Sequence, residues 1–211
     1  MLDRRRVTLA LLALPAAGPA LAQQVQASPP DQELVARAVA YLEGLTEAKA
    51  RFAQTDSRGQ TSTGTLYLKR PGKARFAYDP PSGLLVVSNG STVAIADSRL
   101  KSFDSYPLGM TPLSLFLARN IRLDRGVQVT AVTRTRDGFT LFARDARRQT
   151  AGQLALIFSE DPLRLAGWAV TDAQGRTTRV RLVDLAPATG LPADLFVLKD
   201  PRPKNVGRAR M

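Results

Sequence analysis

The chain has 211 residues, of which 44% are hydrophobic, a size and composition that suit one domain with its own apolar core. It contains no histidine and no cysteine, which excludes Ser-His-Asp triads, HExxH zinc sites, disulfides and thiol chemistry. Lysine and arginine outnumber aspartate and glutamate by 30 to 18, a formal charge of +12 that favours anionic partners.

The first 22 residues combine Arg4, Arg5 and Arg6, an apolar run from Val7 to Ala17, and the small-residue site Ala20-Leu21-Ala22. This is the pattern of a signal peptide cleaved before Gln23, and Pro15, Gly18 and Pro19 interrupt the run before it reaches membrane-spanning length. The arginines fit general secretion and the twin-arginine route alike. When Asp3 and these arginines are removed with the leader, 27 basic and 17 acidic residues remain, about +10 for the mature chain. Export away from the cytoplasm argues against nucleic acid as the anionic partner. It favours a membrane surface or an acidic protein.

After a short spacer, Ser28, Pro29 and Asp31 occupy N-cap, first-turn and capping-box positions. Leu34, Val35, Ala38, Tyr41, Leu42 and Leu45 then recur every three or four residues, which predicts a helix with one apolar face. From Ala50 the period changes to two, and Arg58-Gly59, Pro71-Gly72, Pro80-Pro81, Asn89-Gly90, Asp137-Gly138 and Gln174-Gly175 punctuate the runs as turns. Strands are expected near 50–55, 62–69, 73–79, 83–88, 91–97, 99–105, 127–135, 138–145, 152–159, 163–172, 176–185 and 194–198. Turns this short make successive strands antiparallel neighbours. A second, short helix is expected over Thr111 to Asn120, with Thr111 as N-cap and Pro112 first. Pro201 to Met211 is a basic tail without periodicity.

The predicted fold is therefore mainly β: a single curved antiparallel sheet forming a half-open barrel, with a lid of a few helices over an apolar cavity. Phe76, Tyr78, Leu84, Val86, Val93 and Ile95 fall on strand faces expected to line it, and Leu113, Phe116 and Leu117 on the short helix. Catalytic machinery is not visible. Asp97 and Asp104 lie on separate strands without catalytic spacing, and neither GxxxxGK[ST] nor GxGxxG occurs. No catalytic residue, metal site or cofactor is expected.

Four motifs follow one another along the chain: Arg51-Phe52-Ala53-Gln54; Gly64-Thr65-Leu66-Tyr67-Leu68-Lys69-Arg70-Pro71-Gly72; Arg75-Phe76-Ala77-Tyr78-Asp79-Pro80-Pro81; and Val87-Ser88-Asn89-Gly90. Tyr106-Pro107-Leu108 and Thr111-Pro112-Leu113 extend the series. In this the chain resembles the LolA-type periplasmic outer-membrane lipoprotein carrier protein family, over nearly all of the mature sequence. The resemblance implies an incomplete barrel closed by helices, a periplasmic location, acylated lipoproteins as cargo, an inner-membrane ABC-type releasing complex as donor and an outer-membrane receptor as acceptor. It also implies that Arg70 latches the barrel to the lid. Residues 23–199 would form the carrier domain, a monomer, between the leader at 1–22 and the tail at 200–211. Ala74 is smaller than its counterparts in that family, and the end after Lys199 lacks an extra strand. A lipid-sensing regulator and a carrier of other lipids remain as alternatives.

Overall fold

The computed structural model describes residues 29–111, 113–117, 127–145 and 152–200. The expected leader and the tail beyond Asp200 lie outside them.

Helix α1 (Pro29–Gly44) forms where the three- and four-residue spacing predicts it, with Asp31 in its first turn. Its Leu34, Ala38 and Leu42 make one buried row, while Arg37, Ala40 and Glu43 face water. Eleven strands follow: β1 (Glu47–Thr55), β2 (Thr61–Lys69), β3 (Lys73–Tyr78), β4 (Leu84–Asn89), β5 (Thr92–Asp97), β6 (Ser102–Pro107), β7 (Val127–Thr135), β8 (Gly138–Asp145), β9 (Gln153–Glu160), β10 (Leu163–Thr171) and β11 (Thr177–Pro187). Helix α2 (Leu113–Leu117) stands between β6 and β7.

All eleven strands form one sheet in the order β6-β5-β4-β3-β2-β1-β11-β10-β9-β8-β7, and every pairing is antiparallel. Two meanders, β1 to β6 and β7 to β11, are thus joined edge to edge by the β1–β11 pair. The outer strands β6 and β7 do not pair, so the barrel stays open. Because β6 and β7 are the two free edges, the segment that contains α2 has to link opposite sides of the sheet.

The sheet's concave face and the apolar row of α1 share one core with α2. It includes Leu34, Leu42, Phe52, Leu66, Leu68, Phe76, Phe116, Leu117, Phe158 and Trp168. Burying a side chain such as Leu34 or Leu42 contributes roughly 1.5–3 kcal/mol each, so α1 is held mainly by this face.

Two expectations are corrected. The strand predicted at 99–105 begins at Ser102, because the Asp97 carboxylate accepts the amides of Arg99 (2.8 Å) and Leu100 (3.1 Å) and makes a turn there. The segment predicted as a strand at 194–198 is a 3-10 turn (Ala193–Phe196) that packs against β3 and β4, with Phe196 buried. The chain leading to it crosses the outer face of the sheet. Ala188 donates to the Glu47 carbonyl (2.9 Å), Leu191 to the Glu47 carboxylate (2.8 Å), and Lys69 and Arg75 donate to the carbonyls of Leu191 (2.8 Å) and Leu195 (3.1 Å). This strap takes the place of a twelfth strand.

Candidate functional site

The concave floor is built from side chains that alternate along β1 to β5 and β8 to β11. Phe52 on β1 meets Tyr78 edge-on at 5.0 Å between ring centroids and Phe76 at 5.7 Å; Phe76 in turn meets Trp168 of β10 at 6.0 Å. Trp168 stacks on Phe116 of α2 at 5.5 Å with 26° between the planes. A continuous aromatic row therefore runs from β3 across the floor and up to the short helix. Edge-on and stacked pairs of this kind add about 0.5–1.5 kcal/mol each beyond the area they bury.

Of the nine residues predicted to line the site, Phe76, Val93, Phe116 and Leu117 lie in the buried cluster, and Tyr78, Val86 and Ile95 pack against it. Val86 stands opposite both Phe76 and Ile95 in the ladder. Leu84 is half-buried at the end of the same strand face, opposite Asp97. Leu113 begins α2, and its side chain lies outside the described residues. The Tyr78 hydroxyl donates to Gln54 at 2.7 Å, and burial pushes its pKa up to about 12 despite that bond, so it stays neutral as a floor residue should.

Trp168, the only tryptophan, was not singled out from the sequence and sits under α2; Leu42, read there only as part of an apolar face, also supplies a carbonyl that ties α1 down. Counting by twos from Leu163 and Leu165 places Trp168 on the outside. A bulge between Leu165 and Gly167 inserts one residue and turns it inward.

The β2–β3 turn touches both helices. Arg70 donates through Nη1 to the carbonyl of Leu42 in the last turn of α1, one of the carbonyls that a helix end leaves without an intrahelical donor. Desolvation holds the Arg70 guanidinium below its ordinary pKa, opposed by the nearby Glu43. Two residues on, the amide of Gly72 donates to the carbonyl of Leu117 in α2 (2.8 Å), and its own carbonyl accepts from the buried Ser88 hydroxyl (2.6 Å). Gly72 has φ +77°, a left-handed backbone that favours glycine and aims its amide at α2. At the other end of α2, the Thr111 hydroxyl donates back to the Leu108 carbonyl (2.8 Å) instead of capping the helix as expected.

Among the described residues, two helices roof the apolar concavity, and each has a backbone carbonyl that accepts from the β2–β3 turn. No group of three or more acidic residues is placed to hold a metal among the described residues, and no described helix is long and apolar enough to cross a membrane.

Known proteins resemble this chain along most of its length. It is 27% identical over 188 residues to the outer-membrane lipoprotein carrier protein of Chromobacterium violaceum, covering 85% of this chain and 90% of that one. To the protein of the same name from Bordetella pertussis it is 28% identical over 216 residues, 98% of each. Among solved structures, a LolA superfamily protein from Nitrosomonas europaea superposes with a TM-score of 0.47 at 10% identity, covering 77% of this chain and 97% of that one. The family profile described as outer membrane lipoprotein carrier protein LolA matches residues 43–199, a span that takes in all eleven strands, α2 and the Arg70 turn, and the chain belongs to that family.

Proposed function

We propose that this protein binds the acyl chains of lipoproteins leaving the inner membrane and carries them through the periplasm to an outer-membrane receptor. The observation that carries the reading is the roof. An apolar concavity lined by Phe76, Val86, Val93 and Trp168 is covered by α1 and α2, whose Leu42 and Leu117 carbonyls accept from Arg70 and Gly72. At about 0.8 kcal/mol per buried methylene, one long acyl chain gains on the order of 10 kcal/mol by leaving water. That is ample to displace a few hydrogen bonds and open the lid.

Leu34 and Leu42 of α1 and Phe116 and Leu117 of α2 pack into the core on the concave face, so acyl chains take their places as these helices swing outward. The apolar surface that the helices give up is replaced by cargo, which lets the open, loaded state be stable and the empty one close. The protein acts by binding alone, without catalysis or cofactor. Residues 1–22 serve as the export leader, 23–199 as the carrier domain and 200–211 as a basic tail. An ABC-type releasing complex supplies the cargo, and the carrier travels as a monomer.

Mass spectrometry of material co-purifying with the protein from the periplasm tests this directly. Triacylated peptides are expected; free lipids alone would overturn the lipoprotein assignment in favour of another lipid cargo. Val86→Glu, which places a charge beside Phe76 and Ile95, is expected to abolish this co-purification while lowering stability less.

A further inference from the structure

Within the sheet, the wall of the barrel is split part of the way between β10 and β11. Strands β10 and β11 pair from Thr171↔Thr177 to Gly167↔Arg181, and there their ladder ends. Beyond it β10 continues to Leu163 on β9, and β11 continues to Pro187 on β1. Both facing strands carry an extra residue at the split. In β10 it falls between Leu165 and Gly167; in β11 it falls between Val183 and Ala186, which stand opposite Arg51 and Lys49. Asp184 adopts φ +53°, an uncommon left-handed conformation for a non-glycine residue, and strain of this type tends to persist where it serves a site. The bulge leaves Asp184 exposed and sets Leu185 against the core.

The split opens a cleft of about 730 Å³ whose third wall is the C-terminal half of α1. Its lining includes Tyr41, Leu45, Leu163 and Leu185, with Arg164 and Asp184 exposed at the rim. Leu45 belongs to the buried core, and Tyr41, Leu163 and Leu185 pack against it, Tyr41 edge-on to Phe158 at 6.1 Å. The cleft is thus one side-chain layer from the concave interior. The helix that forms its wall is the one Arg70 ties down.

We propose that this cleft is a lateral port that admits one hydrocarbon chain of the cargo beneath α1, leaving the chain's polar end at the Arg164–Asp184 rim. The inference rests on the carrier reading above. A hydrocarbon chain suits the port better than an inserted polypeptide strand. Bulges on both edges break the regular donor and acceptor spacing that strand addition needs, whereas a methylene chain asks for no hydrogen bonds and is offered leucine and tyrosine faces. The size of the cleft lies within the range of ordinary ligand pockets.

The test uses the whole mature protein and a synthetic triacylated lipopeptide with an alkyne on its acyl chains and a separate label on its peptide. A photoreactive phenylalanine analogue is placed at Leu185, at Leu163 in a second variant, and at Phe76 as an interior control. Cross-linking to the acyl chains from Phe76 and from either cleft position supports the port. Cross-linking from Phe76 alone overturns it and leaves the carrier reading standing. Cleft positions that capture only the peptide label overturn it as well, because the cleft then holds polypeptide. Failure at all three positions removes both readings. Leu185→Lys, a charge set in the path, is expected to slow loading about tenfold or more while the thermal transition persists; loading at the wild-type rate would count against the port.

Discussion

Replacing Arg70 by leucine removes its donors while keeping part of its bulk. The guanidinium donates to the Leu42 carbonyl, and a bond to a charged donor contributes about 1.5–3 kcal/mol. Part of that is offset, since the group is half-buried and desolvation already lowers its pKa; leucine relieves that cost and keeps some packing. The lower end, about 1.5 kcal/mol, is therefore the expected loss from the closed state, roughly a tenfold shift toward the open lid. Hydrogen exchange of the α1 amides reads this without cargo. Protection over Leu34 to Leu42 is expected to fall about tenfold while the central strands keep theirs. Arg70→Lys is expected to fall between the two, because a point charge retains the sign but not the planar fork. With the latch gone, cargo no longer displaces it, so transfer of labelled lipoprotein to the receptor slows. Wild-type exchange throughout α1 in Arg70→Leu would refute the reasoning.

Phe116→Ala removes the ring that stacks on Trp168 and is expected to cost about 3–5 kcal/mol, as for other buried phenylalanines. The lone tryptophan reports it, its emission moving to the red as α2 lifts, and unchanged emission would count against the stack as α2's anchor. Gly64→Ala would bring a Cβ to 2.4 Å from the Ala77 carbonyl oxygen and 2.6 Å from the Phe52 ring; a loss of about 1–3 kcal/mol in urea unfolding is expected, and none would mean the floor yields easily. On the outer face, Arg51 and then Thr63 hold the Asp79 carboxylate down to about 2 from an ordinary 3.8. A depressed folded pKa means stability that is complete above about pH 4 and is lost as pH falls through about 2, so Asp79→Asn is expected to flatten the acid limb of the unfolding profile in that window. An unchanged acid limb would show that the Arg51–Asp79 pair does not contribute.

Local chemistry made much of this molecule legible in advance. Turn pairs such as Asn89-Gly90 and Gln174-Gly175 lie between runs of period two, and neighbours joined by so few residues have no option but antiparallel pairing, so each meander follows from the sequence. The apolar row of α1 follows just as directly from its spacing. Phe76 and Val86 fell on the concave face because nothing interrupts the alternation of β3 and β4, whereas a latching role for Arg70 came from the family resemblance and not from local chemistry.

Where tertiary structure decided, a count along the chain was broken or a partner was remote. Trp168 and Leu185 changed faces because one inserted residue in β10 and another in β11 shifted the parity of the strand; Gly167 marks the first bulge in the sequence, and the run from Thr177 to Pro187 has no glycine to mark the second. The β1–β11 seam joins Phe52 to Leu182 across most of the chain, a pairing chosen by the fit of whole apolar faces rather than by neighbouring residues. Leu195 to Val197 have the composition of a strand, but by then β1 already has a neighbour on each side. With no free edge beside it, the segment has its Leu195 carbonyl satisfied by Arg75, as Lys69 satisfies Leu191 just before it, and buries Phe196 against the outside of the sheet.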